Sequence, residues 1–556
     1  MGYLKSGSVA SHWGCLGVAL AAFAAAPAWV QAQAVPPGTS PGLFAPGLLR
    51  EQLRDQQRQQ AIEERAQRIE VPPLQGDKPD AEDALPDDSP EFVLQGISFN
   101  TSVFLSDSEL QALAEPFVGV TVTFADLNRL LRAINDRYAE LGQLTARAVV
   151  PPQSLDDGQL RVALVEAKVD AVEVQGETRV RKQYYRQQIG LAPDDILDSP
   201  LMIDNIRRFN ATTPGPQISA GLAPGERFGT TRVELEAFEP DPWSWSVFAN
   251  NYGSESTGRE QMGGTLNWFS PTGAADNLAV VAVATSGSQY FNLRYSRPVT
   301  RHNGVAWIEA GRNDLEIKKG PLRDLGIEGE STTVALGFDQ PWWQSARWLW
   351  LFGGSYSWQN SETTIEGFDL SDIDNQEVTL RAQFEFRAEP WYVRYEQRLR
   401  QARANNKVTG DNNSFTLLNG DLYAARSLGD RFEMVGKLGW QYSTKPDQLT
   451  SSLLKQFGGP SNIRGYDPGI IASPQGVNLS LEGHWNLNER WRPYAFLDYG
   501  RAMELGLGDE DLSSVGVGVN ARFGKRVSAN LTLASALETV VPEQDSSQVL
   551  LQIVIR

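Results

Sequence analysis

The sequence predicts a transmembrane β-barrel of about 16 antiparallel strands, preceded by two small α/β modules (strand-helix-helix-strand-strand) and an N-terminal helix. Three observations support this fold class. From Trp243 onward, segments of about ten residues alternate apolar and polar side chains between turn residues. Before Trp243, the same order of one strand, two helices and two strands occurs twice. The chain also opens with the pattern of an export signal.

Residues 1–34 are predicted to be a signal peptide. Lys5 supplies a positive charge, Cys15–Ala26 is an apolar run, and Ala32-Gln33-Ala34 is a small-residue cleavage site. Cys15 is the only cysteine of the chain. The mature protein is therefore predicted to have neither a disulfide nor a thiol nucleophile.

Composition narrows the function classes. The 556 residues exceed one ordinary domain, and the formal net charge of -18 argues against a nucleic-acid partner. After the signal, no continuous apolar stretch is long enough for a transmembrane helix. A membrane barrel remains compatible with this, because only alternate residues of its strands face lipid.

Residues 35–90 are predicted to form a polar helix and a linker. The chain favours helix from Pro46 to about Glu70, but its apolar positions are too sparse for a core-facing stripe. Two interpretations remain open: a solvated or partly disordered helix, or a plug helix that occupies a polar cavity. Val71–Pro90 is rich in proline and aspartate, which predicts an extended acidic linker.

The two α/β modules are predicted at residues 91–168 and 169–240. Their openings match, with Leu94-Gln95-Gly96 in the first and Val174-Gln175-Gly176 in the second. Neither copy contains histidine, a phosphate-binding glycine loop or an evident carboxylate dyad, so both are interpreted as binding modules. The predicted segments are Phe92–Phe99, Ser106–Leu110, Phe124–Tyr138, Thr145–Val150 and Gln159–Glu166 in the first copy, and Ala171–Gly176, Arg181–Ile189, Pro200–Asn210, Gln217–Leu222 and Thr230–Phe238 in the second.

Residues 243–556 are assigned to the barrel. Strands are predicted near residues 243, 261, 277, 289, 304, 331, 347, 376, 391, 414, 432, 477, 491, 512, 527 and 546. The competing interpretation is a large soluble β-sandwich or propeller, which predicts shorter intervals between turns and no paired aromatic belts. The even number of strands favours a closed membrane barrel.

One connection, residues 444–474, is unusually long and carries Gly458-Gly459-Pro460-Ser461-Asn462-Ile463-Arg464-Gly465-Tyr466. Loops of this length are commonly functional or disordered. The glycines allow sharp reversals and the prolines stiffen the segment, which favours an ordered loop. In the strand count, the loop joins the eleventh and twelfth strands.

The thirteenth predicted strand contains Phe496-Leu497-Asp498-Tyr499-Gly500. Alternation places Phe496, Asp498 and Gly500 on one face, and a carboxylate facing lipid would be costly, so this face is predicted to line the lumen. Gly500 would leave room for a loop to approach. The sequence therefore predicts a charge-assisted pair between Arg464 and Asp498 inside the barrel. The alternative is a plain turn at Arg464 and a solvated carboxylate at Asp498.

These features together resemble the outer-membrane transporters of two-partner secretion, the TpsB branch (ShlB/FhaC/HecB, hemolysin activation/secretion type) of the Omp85 superfamily. The most specific motifs are Ile463-Arg464-Gly465-Tyr466 and Phe496-x-Asp498-x-Gly500. The resemblance implies two POTRA modules, a plug helix, and a lock between the two motifs in the lumen. The chain departs from the family pattern at Ile463, where valine is commoner, and at Arg556, where an aromatic residue is usual.

The resemblance also implies a function and partners. POTRA modules in the periplasm would receive an unfolded TpsA-type exoprotein, and the barrel would export it (type Vb secretion) without ATP. Further partners would be outer-membrane lipid and the barrel-assembly machinery. The sequence predicts no enzyme activity, cofactor or metal site. Two other classes remain open: an Omp85-type insertase that assembles other barrels, and a passive porin or nutrient receptor.

Overall fold

The computed structural model describes residues 49–50, 53–54, 56, 72–74, 91–155, 157–213, 215–320, 322–345, 347–505, 508–542 and 544–556. The predicted signal peptide lies outside these residues, as does most of the predicted plug helix and linker. Leu49, Arg50, Leu53, Arg54 and Gln56 are described, and all five are helical.

The first module forms a three-stranded sheet covered by two helices. In the sheet, Gly96–Phe99 (β2) runs parallel to the central strand Gln159–Val165 (β5), and Arg147–Val149 (β4) lies on the other side of β5. The prediction of one continuous strand over residues 92–99 was wrong. Leu94 turns into the core and divides the segment into Phe92–Val93 (β1) and β2, and β1 pairs with Thr121–Val122 (β3) outside the three-stranded sheet. The elements are β1 (Phe92–Val93), β2 (Gly96–Phe99), α1 (Asp107–Ala114), β3 (Thr121–Val122), α2 (Phe124–Glu140), β4 (Arg147–Val149) and β5 (Gln159–Val165).

Both helices of this module begin with a capping box. The Ser106 hydroxyl accepts a hydrogen bond from the Glu109 amide, and the Glu109 carboxylate accepts one from the Ser106 amide. Thr123 and Asp126 make the same reciprocal pair at the start of α2. Each box satisfies two amide groups that the first helical turn leaves without partners.

The second module repeats the arrangement, with sheet order β6-β8-β7 and β6 parallel to β8. Its core surrounds the fully buried Tyr185 and Phe209, which make an edge-to-face ring contact. The elements are β6 (Lys168–Gln175), α3 (Lys182–Ile189), α4 (Ser199–Thr212), β7 (Gln217–Pro224) and β8 (Thr230–Phe238).

Sixteen antiparallel strands form a closed barrel within the described residues. The predicted barrel and its strand positions are confirmed, with the largest offset at the strand predicted near 376, which begins at Phe368. The barrel strands are β9 (Trp243–Asn250), β10 (Gln261–Phe269), β11 (Asn277–Ala284), β12 (Ser288–Pro298), β13 (Val305–Glu316), β14 (Ile327–Gln344), β15 (Trp348–Ile365), β16 (Phe368–Ala388), β17 (Trp391–Asn406), β18 (Asn412–Leu428), β19 (Phe432–Ser443), β22 (Gln475–Trp485), β23 (Trp491–Leu505), β24 (Gly508–Phe523), β25 (Val527–Ala536) and β26 (Ser547–Ile555), and the connection after β19 contains the short strands β20 (Lys455–Phe457) and β21 (Ile471–Ser473).

The barrel exterior is apolar and ringed by aromatic side chains. On β26, the apolar side chains Val549, Leu551, Ile553 and Ile555 alternate along one face and are all exposed. Exposed tryptophans cluster at the strand ends beside the short turns, including Trp342, Trp343, Trp348, Trp350, Trp391, Trp485 and Trp491. Such a girdle is typical of the membrane–water interface.

The barrel closes through a short seam between its first and last strands. β9 pairs with β10 over eight residue pairs, but with β26 over only four. Beyond the paired residues, Asn251 continues the contact: its side chain donates to the Val549 carbonyl and accepts from the Leu551 amide. The seam is therefore the least extensively paired strand interface of the barrel.

The second module is docked on the short turns of the barrel. The Arg181 amide donates to the Gly273 carbonyl (3.0 Å), and the Asn303 side chain donates to the Thr212 hydroxyl (2.9 Å). Gln344 donates to the Arg207 carbonyl (3.0 Å), and Phe269 enters the core of the module. Contacts with three separate turns fix this module against one end of the barrel. No helix among the described residues has the length and hydropathy needed to cross a membrane.

The capping carboxylates should make the first module sensitive to acid. Hydrogen bonds, chiefly from the Ser106 backbone amide, lower the pKa of Glu109 from 4.5 to about 2. Those from the Thr123 backbone amide likewise lower the pKa of Asp126 from 3.8 to about 2. Because both pKa values are depressed in the folded state, the caps stabilise the module above about pH 4.5 and lose this contribution as the pH falls toward 2.

Hydrogen exchange of the α1 and α2 amides in the intact protein measures this loss. Protection should fall between about pH 4.5 and pH 2 in the wild type, and fall less in the variant Glu109→Gln/Asp126→Asn. If amide protection depended on pH identically in the two proteins, the loss could not be assigned to the Glu109 and Asp126 carboxylates.

Candidate functional site

Residues 444–474, which we call the lumen loop, fold back into the barrel. β20 and β21 pair antiparallel at its base, with Gln456 opposite Ala472. Phe457, Ile463 and Tyr466 are fully buried and form one apolar cluster with Leu512 of β24. The loop is therefore an ordered part of the interior.

Glycines create the sharp reversals of this loop. Gly458, Gly459 and Gly465 have φ angles of +91°, +98° and +87°, in the left-handed region where side chains are strained. A Cβ atom at Gly465 would also lie 2.9 Å from the backbone nitrogen of Ala536. Glycine at 465 thus lets the tip lie directly against the end of β25.

The tip is anchored by Arg464, which makes three hydrogen bonds to Asp498 on β23. The Arg464 backbone amide and Nε donate to Oδ2 (3.0 and 2.8 Å), and Nη2 donates to Oδ1 (2.6 Å). Asp498 is fully buried and Arg464 is 7% exposed. The side-chain contact is bidentate, the arrangement that makes arginine–carboxylate pairs strong and directional.

The remaining guanidinium surface also has partners. Nη1 lies 2.8 Å from Glu482 Oε1, and Nη2 donates to the Ser480 hydroxyl (2.9 Å) on β22. The guanidinium plane lies over the ring of Phe496, 3.6 Å from its centroid. Arginine, with its planar fork of donors, is suited to meet all these groups at once.

Glu482 extends this network to the neighbouring strand. Its carboxylate contacts Lys437 Nζ of β19 at 3.3 Å and His484 Nε2 at 2.9 Å. We call Lys437, Arg464, Glu482 and Asp498 the Arg464 cluster; it pairs two cations with two carboxylates. A balanced cluster with complete hydrogen bonding is what allows charges to remain in a desolvated site.

Gly500 makes the close packing of the loop on β23 possible. A Cβ atom there would lie 2.1 Å from Cδ1 of Ile463 and 3.1 Å from Cδ1 of Phe457, so the buried side chain of Ile463 would have to shift to admit a larger residue. Tyr466 makes a further attachment: its hydroxyl donates to the Ser513 carbonyl (2.9 Å) and accepts from the Glu538 amide (3.2 Å).

Asp467 ties the loop to both sides of the barrel seam. Its carboxylate accepts from Gln548 at the start of β26 (2.7 Å) and from Arg259 in the connection after β9 (3.3 Å). The lumen loop therefore contacts the seam as well as β22 and β23.

The structure brings together all seven residues predicted for the site: Ile463, Arg464, Gly465, Tyr466, Phe496, Asp498 and Gly500. Sequence reasoning missed Lys437, Asp467, Ser480 and Glu482. One available signal was the alternation of Ser480, Glu482 and His484 on β22. By the argument applied to Asp498, these polar side chains had to face the lumen.

The five described helical residues, Leu49, Arg50, Leu53, Arg54 and Gln56, also lie in the lumen, against a different part of the wall. Leu49 and Leu53 pack on Val281, Val283 and Tyr290. Arg50 donates to Thr333 and to Gln359 (3.0 Å), and Arg54 pairs with Glu309. Of the two interpretations of the N-terminal helix, these contacts agree with a helix in a polar cavity.

A cavity of about 850 Å³ remains between the helix and the lumen loop. Its lining is strongly polar and charged. It includes Gln56, Tyr252, Lys437, Arg464, Glu482 and Arg492. The described residues contain no cluster of His, Cys, Asp or Glu that could hold a metal ion.

Comparisons with known proteins identify relatives of this arrangement. Residues 229–523 match the family described as haemolysin secretion/activation protein ShlB/FhaC/HecB, and residues 92–167 match the POTRA domain of ShlB type. The outer membrane transporter CdiB of Escherichia coli is 28% identical over 231 residues, or 41% of this chain and 37% of that protein. The hemolysin transporter protein ShlB of Serratia marcescens is 26% identical over 338 residues, or 59% and 57%.

The matched regions thus span between about a third and three fifths of these curated relatives. The solved structure of CdiB from Escherichia coli superposes with a TM-score of 0.68 at 19% identity, covering 94% of this chain and 100% of that chain. At this identity the likeness shows the fold, and activity must be argued separately.

Removal of the Arg464 side chain should strongly destabilise the barrel interior. Arg464→Ala leaves the buried Asp498 without its charged partner and removes one of three partners of Glu482, and breaking a buried pair typically costs about 3–5 kcal/mol. The measurement is the temperature at which the barrel loses its compact electrophoretic mobility in detergent.

Arg492→Ala is the matched control, because its ion pair with Glu433 lies in the same barrel but is about a quarter exposed. Loss of this ion pair should lower the free energy of unfolding by about 1 kcal/mol or less. If this transition temperature fell equally in the two variants, the importance assigned to the Arg464 cluster would be contradicted.

A methyl group at Gly500 should displace the lumen loop. Gly500→Ala collides with Ile463, whereas Gly483→Ala on β22 meets nothing within 4 Å. Limited proteolysis of the folded barrel should cleave the loop faster in Gly500→Ala than in Gly483→Ala. Comparable cleavage rates would show that the loop tolerates displacement from β23.

Proposed function

Since this chain belongs to the haemolysin secretion/activation family of ShlB/FhaC/HecB type, we propose that it is an outer-membrane translocator that exports an unfolded protein from the periplasm. The observation that carries the proposal is a closed barrel whose lumen holds two segments that are not wall strands: helical residues near the N-terminus and a folded-back loop. The partner would be a TpsA-type exoprotein. No step of the proposed transport uses ATP.

The arrangement of the modules supports a periplasmic receiving role. Both α/β modules precede the barrel, and the second is attached to the short turns. In outer-membrane barrels the short turns face the periplasm and the longer loops face outward. The modules therefore stand at the entrance, where an extended chain could add to a sheet edge.

The contacts inside the barrel support a transport path that the helix and the lumen loop can close. The helical residues lie against β11–β15, while the Arg464 cluster holds the lumen loop against β22 and β23. Transport would require the helix to leave the lumen, since its leucines and arginines occupy the wall beside the cavity. The Arg464–Asp498 pair would act as a latch that fixes the loop while the helix moves.

The free energy for export would come from the exoprotein itself. A chain that folds into β-structure outside cannot return through the barrel in that form. Folding would thus make passage directional. The chain shows no phosphate-binding glycine loop that would support a nucleotide-driven step.

The first experiment is an export assay. We would co-express the protein with a large exoprotein that carries a β-helical N-terminal domain and is encoded beside it, then assay the medium. Export should depend on this chain and should fall in Arg464→Ala by more than the amount of assembled barrel falls. Fully assembled barrel with normal export in Arg464→Ala would refute the latch. Loss of other outer-membrane barrels on deletion, without export, would favour the insertase alternative.

A second experiment tests the exit of the helix. Leu53 and Val283 pack in one cluster, and the predicted mature chain has no other cysteine. In Leu53→Cys/Val283→Cys, oxidation should stop export and a reductant should restore it, while each single variant should export under both conditions. Undiminished export by the oxidised double variant would show that the helix does not have to move.

A further inference from the structure

Three consecutive short turns of the barrel are rich in basic residues. With the adjoining strand ends they comprise residues 426–431, 486–490 and 523–527, between β18 and β19, β22 and β23, and β24 and β25. We call their cations the basic arc: Arg426, Arg431, Arg490, Lys525 and Arg526. The same segments contain only two acids, Asp430 and Glu489. Because the whole chain has a formal net charge of -18, this excess of positive charge is local.

The charge of the basic arc is not neutralised within the protein. All five side chains are exposed, and none of them forms an ion pair with a residue that the structure describes. Arg492 lies beside them but lines the internal cavity, and it pairs with Glu433. The inward cation is thus compensated, whereas the arc presents its charge to the surroundings of the barrel.

Two cations of the arc lie over aromatic rings that face outward. The guanidinium carbon of Arg426 is 5.0 Å from the centroid of the Trp391 ring. That of Arg490 is 5.0 Å from the centroid of the Phe523 ring, which meets Trp491 edge to face. These three rings are 37–41% exposed. Because they belong to the aromatic girdle, the cations over them lie at the level of the lipid headgroups.

This combination of groups suits a phosphate ester at the edge of a bilayer. Arginine forms paired hydrogen bonds with phosphate oxygens and also stacks on aromatic faces. Clustered cations next to a membrane attract anionic lipid, and each cation adds to the attraction. A zwitterionic headgroup carries its own positive charge beside the phosphate. A basic surface without internal partners therefore favours headgroups whose net charge is negative.

We infer that the basic arc is a binding site for anionic phospholipid headgroups in the periplasmic leaflet of the outer membrane. The short turns face the periplasm in barrels of this kind. The rings under Arg426 and Arg490 fix the arc outside the barrel, where the neighbouring molecule is lipid, whereas an exported chain would pass through the lumen. The inference goes beyond the proposed export and does not depend on it.

The arc also reaches the last strand of the barrel. The Arg556 amide, at the end of β26, donates to the Arg526 carbonyl in the turn before β25 (2.8 Å). β26 then forms the four-pair seam with β9. A headgroup bound at Lys525 and Arg526 would restrain the turn that holds the end of β26. Anionic lipid should therefore stabilise the closed barrel.

Mass spectrometry of the intact protein, released from micelles with equal amounts of phosphatidylglycerol and phosphatidylcholine, measures the lipid preference. The wild type should retain phosphatidylglycerol over phosphatidylcholine about tenfold, equivalent to about 1.4 kcal/mol. In the arc variant, Arg426→Gln/Arg490→Gln/Lys525→Gln/Arg526→Gln, the ratio should fall to about twofold or less, because the attracting charges are gone. A wild-type ratio near one, or an unchanged ratio in the arc variant, would overturn the inference.

The matched control removes four exposed cations from the longer connections at the other end of the barrel. Lys318→Gln/Lys319→Gln/Arg323→Gln/Lys445→Gln should keep the wild-type ratio. An equal loss of preference in the two variants would show an effect of net charge alone and exclude a site at the arc. Displacement of phosphatidylglycerol by the same concentration of inorganic phosphate would show a site for the free anion instead.

Thermal stability gives a second readout. Added phosphatidylglycerol should raise the temperature at which the barrel loses its compact electrophoretic mobility, in the wild type and in the control but not in the arc variant. Arg426→Lys/Arg490→Lys/Arg526→Lys keeps the charges and should keep most of the lipid preference. If the arc variant kept the wild-type lipid preference but lost export, the arc would serve an acidic protein segment and the lipid assignment would be wrong.

Discussion

A desolvated ion pair, Arg464 with Asp498, determines the interior of this barrel. Two opposite charges removed from water are stable only when nearly every donor and acceptor has a partner. Here Glu482, Ser480 and the ring of Phe496 complete the surroundings of the guanidinium group. Gly465 and Gly500 let the backbone approach closely enough for that geometry. The glycines at positions 465 and 500 are therefore explained by this one contact region.

The lumen is divided between two segments with different kinds of attachment. The loop is joined at both ends to barrel strands and is held by buried charges. The helix precedes the modules and is held by two leucines and two arginines on β11–β15. The helix can leave without unfolding the wall, whereas the loop cannot move without separating Arg464 from Asp498. In the proposed transport, chain connectivity would therefore make the helix the mobile segment and the loop the fixed one.

Most of the barrel could be predicted from the sequence because strand alternation is a local property that a membrane enforces over every lipid-facing segment. The pair of Arg464 and Asp498 was predictable because a carboxylate on an apolar strand has to face inward. Lys437 and Leu74, which pairs with Ala220, were missed for the opposite reason. Their partners, Glu482 and Ala220, are distant in the chain, and a lysine on a strand or a leucine in a linker looks ordinary without them. The break at Leu94 escaped because an apolar residue suits both a continuous strand and a turn into the core.

The contacts of Asp467 give the loop an influence beyond the pore. Arg259 and Gln548 flank the seam, where only four residue pairs join β9 to β26. The lumen loop narrows the channel, and through Asp467 it also holds together the two sides of the seam, where the barrel strands are least extensively paired. If the loop withdrew, the channel would widen and the seam would lose its contacts with Asp467 at the same time. The width of the channel and the closure of the barrel are therefore coupled.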